Sequence, residues 1–388
     1  MVDSVSKRIG CLDGIRGLAA IWVLVGHAML LTGWRVPFAS QPDLGVDLFI
    51  MLSGFLMVFH YQSQAWSDRG TAMAFWTRRF FRIAPLYYVV LAAAVFLGPM
   101  LYEARMTIDT LRGAEPQEAF RYIDGSVENI LIHLSFIFGA IPDYAFRTPL
   151  PDWSLGLEMQ FYLLFPLMML AVHRFGWAPA AAAIVGFGLL IAAVLRVGHI
   201  TFPMPSFLPL KMHVFMCGML CAASLKERPR FALLALLAGM ILIAIPIGGG
   251  RSLDKTAVRE IMVIGFFAVI LHERVGGALG GILKRAAALL GSTPFHWAGE
   301  LSYSVYLIHL LVMLPVTAYV WTEHGGLSAP LRFLMVVGIV APVVYALSFV
   351  TFTQIEKRGN RLGASLLKQF GVRAKERTLS PAEKIAAP

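Results

Sequence analysis

An arginine and a histidine, Arg16 and His27, stand with ten residues between them inside the first apolar segment, Gly14–Leu31. An ionisable group in hydrocarbon costs a few kcal/mol or more, so it is seldom there by accident. Eleven positions make about three helical turns, which puts both side chains on one face roughly 16 Å apart at about 1.5 Å per residue. A cation near one end of a span and a titratable base near the other suit chemistry that reaches across a bilayer. Counted inward from their span ends at about 1.5 Å per residue, Asp47 and Glu158 are expected at the depth of His27. A histidine with a carboxylate at its level is the pattern of a general base and the group that orients it. The plain alternative is a set of polar side chains satisfying one another near the headgroups.

A second cluster, Arg78, Arg79 and Arg82, lies at the other end of the third span. Its plain alternative is a stop-transfer charge cluster. Two details favour a site. Arg79 and Arg82, at i and i+3, share a helix face, and the planar guanidinium fork binds phosphate bidentately. Arg16 enters from the first span at the same level, so the converging arginines suit a polyphosphate. No Walker-type glycine loop is present, which speaks against a nucleotide triphosphatase. A phosphate site with a base roughly 16 Å along the helix fits a long donor with an anionic head and a reactive tip, the shape of acyl-coenzyme A. Tyr303, Tyr306 and His309 fall on a later span and are candidates to line an acyl channel, although an interfacial aromatic belt accounts for Tyr303 equally well. Ser53 beside Gly54 lacks the flanking glycines of a nucleophile elbow and is read as a small-residue helix contact.

These residues need a scaffold, and the composition says which kind. The chain is 58% hydrophobic and 14% charged, against about 25% charged in soluble domains. That predicts an all-α, polytopic membrane bundle. About ten spans are expected: Gly14–Leu31, Gly45–Tyr61, Ile83–Leu101, Leu155–Val172, Ala178–Val197, Phe207–Leu225, Phe231–Ile247, Val258–Leu271, Leu301–Val320 and Leu331–Thr353. The first is read as a retained span and not a cleaved leader. Most of the 33 Lys and Arg then fall on one side. The positive-inside bias makes that side cytoplasmic, with both termini there and the protein in the inner membrane.

The net charge of +10 is therefore read as a membrane feature, with anionic lipids as partners of the basic tail and no nucleic acid. Residues 1–356 are expected to form the transmembrane domain and 357–388 a basic cytoplasmic tail, polar and loose after Phe370. Tyr102–Asp152, with eight carboxylates and four arginines, is the main outward loop. Within it, Asn129–Ala140 reads as an interfacial or re-entrant piece, and His272–Gly299 reads as an amphipathic surface helix. Three cysteines, Cys11, Cys217 and Cys221, are expected to pack as small apolar groups, with no metal.

The chain resembles the acyltransferase-3 family of membrane acyltransferases. The resemblance rests on Leu12-Asp13-Gly14-Ile15-Arg16 through His27, Gly45-Val46-Asp47-Leu48-Phe49 with Leu52-Ser53-Gly54-Phe55, Arg78-Arg79-Phe80-Phe81-Arg82-Ile83 with Pro85, Trp153-Ser154-Leu155 with Glu158 through Tyr162 and Pro166, and Leu301 through His309. These stretches follow one another in family order from residue 12 to 309. The resemblance implies that His27 is catalytic. It associates Arg79 and Arg82 with the coenzyme phosphates and matches Trp153 and Glu158 to a Trp-Ser-Leu-x-x-Glu element; Arg16, Arg78 and Tyr303 are further candidates for the coenzyme site, and Asp47 and Glu158, from their depth, for orienting His27. Trp153, Gln160 and Tyr162 become candidates to hold the acceptor. Gly156, Leu157 and Met159 stand where many members have Ser, Val and Glu, which removes a second acidic side chain. Many members also carry a soluble esterase-like domain after the last span, here expected to be separate or unnecessary.

The family implies cytoplasmic acyl-CoA, usually acetyl-CoA, as donor and a hydroxyl of an exported or lipid-linked polysaccharide as acceptor. A homodimer is left open. The competing reading is a transporter or flippase that uses the same buried polar residues as a path. The absence of an internal repeat weighs against it.

Overall fold

The computed structural model describes residues 9–247 and 253–376. Among them there is no strand, only one antiparallel bridge between Gln64 and Glu376. The helices are α1 (Cys11–Thr32), α2 (Pro42–Tyr61), α3 (Arg69–Arg112), α4 (Phe120–Ile123), α5 (Val127–Leu134), α6 (Trp153–Phe175), α7 (Trp177–Val197) and α8 (Met212–Ser224). They continue as α9 (Pro229–Ile243), α10 (Leu253–Ile270), α11 (Gly277–Leu290), α12 (Thr293–Glu300), α13 (Ser302–His324), α14 (Ala329–Thr351) and α15 (Lys357–Gln369). A π-helical turn, Phe352–Glu356, joins the last two.

Seven helices are long and apolar enough to cross a membrane: α1, α2, α3, α6, α7, α13 and the run from α14 through α15. All ten expected spans correspond to helices in the expected order, but three are less than full spans. The helices α8 and α9 are shorter apolar helices, and α10 carries Asp254, Lys255, Arg259 and Glu260 in its first half. The chain is a multi-pass membrane protein. Phe187 and Leu190 of α7 are about two-thirds exposed, as a lipid-facing surface requires, because lipid tails are as apolar as leucine.

Two expected loops are helical. At 44 residues, α3 is about 66 Å long at 1.5 Å per residue. It takes in the arginine cluster at one end and Tyr102–Arg112, expected as loop, at the other. Asp68 caps its start by accepting the Thr71 N–H at 2.9 Å, and Gly113, at φ 64°, ends it. The re-entrant piece is α5 with a 3-10 turn at Ile137–Ala140. The amphipathic segment is α11 and α12, and α12 packs along α1.

Close backbone approach sets the centre of the bundle. A Cβ on Gly54 would stand 2.2 Å from Phe215 O, and one on Gly218 would stand 1.8 Å from Met51 O. The helices α2 and α8 therefore cross closer than any larger residue allows, so the small-residue contact expected at Gly54 is present. Cys11, Cys217 and Cys221 are buried and unpaired, as expected.

Candidate active site

The helix α1 carries Arg16 near its start and His27 near its end, and these positions name the two ends of the bundle used below. A cavity of about 140 Å³ lies among α1, α2, α3, α6 and α13, and Arg16, Arg79, Arg82, Ser53, Glu158 and Tyr303 are in its wall. Arg79 is sandwiched by aromatic rings, its guanidinium 5.2 Å from the Tyr61 ring centre and 5.7 Å from that of Tyr162. One of its nitrogens donates to Tyr61 Oη at 2.8 Å, while its buried Nε has no partner. A buried donor without an acceptor costs roughly 1–3 kcal/mol, a cost that an anion or a water in the cavity would relieve. Among the described residues Arg16 makes no hydrogen bond or ion pair either. Arg82 is held by Glu356 at 2.5 Å, and Glu356 also accepts from Ser304. Three guanidinium groups thus face two carboxylates, Glu158 and Glu356, and the cavity keeps an excess of one positive charge.

Arg78 is not in this wall; it turns to a second cleft with Lys368 and Arg373. Tyr303 is in the wall, with its hydroxyl donating to Ile83 O at 2.8 Å. Ser53, read as a packing residue, also reaches the cavity and donates to Glu158 at 3.0 Å.

The carboxylates correct the depth expected from the sequence. Glu158 is not level with His27. Its Oε1 accepts from Ser53 and Tyr162 inside the arginine cavity. The count from the start of α6 assumed that the start lies at the membrane surface. Instead Leu150, Asp152 and Trp153 are buried, because the segment before α6 folds into the bundle. Tyr87 donates to Asp152 at 3.0 Å and His133 lies fully buried nearby. Asp47 does not orient His27 either. Its two oxygens take Lys211 Nζ at 2.6 Å and Arg259 Nε at 2.7 Å, tying α2 to α8 and α10. The sequence did hold a signal for this: two cations in apolar helices require a buried anion.

Among the candidates for the acceptor, Gln160 is fully used by the protein. Its amide donates to Gly156 O at 3.1 Å and Ser206 O at 3.0 Å, and its oxygen accepts from Leu208 N at 3.0 Å. It fastens α6 to the 206–208 segment, which corrects its expected role. Tyr162 stays in the cavity wall. Trp153 is buried at the first turn of α6; its neighbour Ser154 meets Tyr306 Oη at 2.7 Å.

The partner of His27 is another histidine. His309 Nε2 lies 3.0 Å from His27 Nδ1. His309 Nδ1 lies 2.6 Å from Tyr306 O, and a carbonyl only accepts, so Nδ1 carries the proton and Nε2 is the acceptor. His27 Nδ1 faces that acceptor and also Val23 O at 3.0 Å, so it too is protonated. Neutral His27 then keeps the lone pair on Nε2, the form a general base needs. Tyr306 and Phe49 pack edge to face at 5.8 Å and close the cavity at this end. His27 is not in the cavity wall; it contacts His309, which lies one turn along α13 from Tyr306.

A family model described as an acyltransferase domain matches residues 9–352. The chain belongs to this acyltransferase family. Among its relatives, peptidoglycan O-acetyltransferase OatA of Listeria monocytogenes is 28% identical over 52% of this chain and 30% of its own length. Protein 2 in picA locus of Rhizobium radiobacter is 36% identical over 41% of the chain and 81% of its own length. Acyltransferase MdmB of Streptomyces mycarofaciens is 29% identical over 51% of the chain and 48% of its own length. The acyltransferase match thus spans less than half of two of these three relatives. No solved structure matches the chain.

Proposed function

We propose that this family member is a membrane O-acyltransferase. It moves an acetyl or other short acyl group from cytoplasmic acyl-CoA to a hydroxyl of an exported or lipid-linked cell-surface polysaccharide. The observation that carries the reading is one helix, α1, bearing an arginine of the anion-hungry cavity at one end and a histidine with a defined base nitrogen at the other. The polysaccharide acceptor follows the relative OatA of Listeria monocytogenes, a peptidoglycan O-acetyltransferase. The side comes from the positive-inside imbalance, which puts the Arg16 end in the cytoplasm.

In this reading the donor enters from the Arg16 end and lays its pyrophosphate against Arg16 and the unmet Nε–H of Arg79. Arg82, already paired with Glu356, completes the positive wall. The pantetheine arm runs toward Phe49 and Tyr306, which must part for the thioester to reach His27. There Nε2 takes the proton of the sugar hydroxyl. The oxygen attacks the thioester carbonyl and the carbon–sulfur bond breaks. The thiolate then recovers the proton from the imidazolium. His309 holds the tautomer throughout.

The test is a transfer assay with purified protein in detergent, using labelled acetyl-CoA and a soluble glycan acceptor, alongside mass spectrometry of surface glycans with and without the protein. Acyl-CoA-dependent labelling without a membrane gradient supports the reading. Solute flux with no acyl transfer would return the transporter alternative.

A further inference from the structure

A second cleft, of about 210 Å³, lies where α15 meets α3, lined by Arg78, Leu367, Lys368, Gly371 and Arg373 among others. The fold builds it deliberately close. A Cβ on Gly363 would stand 2.8 Å from Phe81 Cβ, and one on Gly359 would stand 2.9 Å from Phe81 O, so α15 lies directly on α3. Gly371, at φ 64°, turns the chain, and the following residues are tied down. Lys375 N donates to Thr71 Oγ1 at 2.9 Å, Ala65 N donates to Lys375 O at 2.8 Å, and Lys375 Nζ pairs with Asp68 at 2.8 Å. The tail expected to be loose is thus ordered through Glu376; residues 377–388 lie outside the described part.

These ties hold Lys368 and Arg373 beside Arg78. No carboxylate lines the cleft, and among the described residues none of the three cations has an ion-pair partner. All three are solvent-exposed, so water and salt screen their repulsion, and an anion among them would add a favourable attraction. We propose that this cleft is a binding site for a phosphate monoester dianion. Arg78 is one turn from Arg82, about 6 Å along α3. On the acyl-CoA reading above, on which this identity rests, the group is the 3′-phosphate of the coenzyme. A phosphatidic acid headgroup offers the same chemistry.

The experiment uses the full chain in nanodiscs and the double variant Lys368→Ala/Arg373→Ala, with unfolding temperature as a folding control. Binding of coenzyme A and of 3′-dephospho-coenzyme A is measured to each. In parallel, retention of phosphatidic acid over phosphatidylcholine is read by native mass spectrometry. The coenzyme source predicts a roughly tenfold preference for coenzyme A that the variant loses, with 3′-dephospho-coenzyme A binding unchanged. The lipid source predicts instead that the variant loses its phosphatidic acid. A variant matching the parent in both arms overturns the site. If neither coenzyme binds the parent protein, the acyl-CoA reading fails, and the lipid arm alone decides the cleft.

Discussion

Two buried charge clusters sit less than two turns apart on α2, at Asp47 and Ser53, and differ in one respect. Around Asp47, each carboxylate oxygen has a cation. Lys211, Arg259 and Asp47 are each nine-tenths buried or more. Around Ser53 and Glu158, three arginines line a void, and Arg79 Nε has no partner. The first cluster is a closed knot that holds helices together. The second is an open wall that, in the proposed reading, receives the donor's phosphates. Charge inside a membrane protein marks function by default; what separates the two clusters is that one faces a cavity, since Arg259 Nη2 lacks a hydrogen-bond partner just as Arg79 Nε does.

Substitutions that break this contrast should split cleanly between activity and stability. The largest effect is expected for His27→Ala, which removes the proposed base and lowers kcat by about 10²–10⁴ without moving the unfolding temperature. Substantial acetyl transfer by this purified variant would sink the assignment. Next is Asp47→Ala, which strands two buried cations and costs about 3–5 kcal/mol of stability. It should show as loss of folded protein in thermal unfolding, and a stable, inactive variant would instead make Asp47 part of the reaction.

Arg79→Ala should raise KM for acetyl-CoA about tenfold or more, with the fold intact, since a charge-assisted contact is lost. Unchanged affinity for the coenzyme would remove the phosphate role. The mildest change sharpens the histidine pair. His309→Gln retains an acceptor for His27 Nδ1–H and should keep more kcat than His309→Leu, with KM for acetyl-CoA the same in both. Equal kcat in the two variants would mean that His309 packs and does not position.

Much of this was legible in the chain. The spacing of Arg16 and His27 put a cation and a base at opposite ends of α1 because a helix converts sequence separation into distance at a constant rise. The Arg79–Arg82 face was visible for the same reason, as was the small-residue contact at Gly54. Depth counting failed at Glu158, since it holds only for a helix that starts at the membrane surface, and α6 starts beneath a folded-in loop. Partner identity failed at His27 and Asp47. Asp47 lies 164 positions from Lys211 and 212 from Arg259, and His27 lies 282 from His309. No local period relates such pairs.

The sequence by itself determined that the chain lies in a membrane, in which order its helices follow, and which residues within one helix share a face, because hydropathy and helical rise are local properties. Only the tertiary structure decided which of the buried charges are consumed by one another and which are left facing a cavity. That outcome depends on which helices meet, and helix contacts are set by packing between segments hundreds of residues apart.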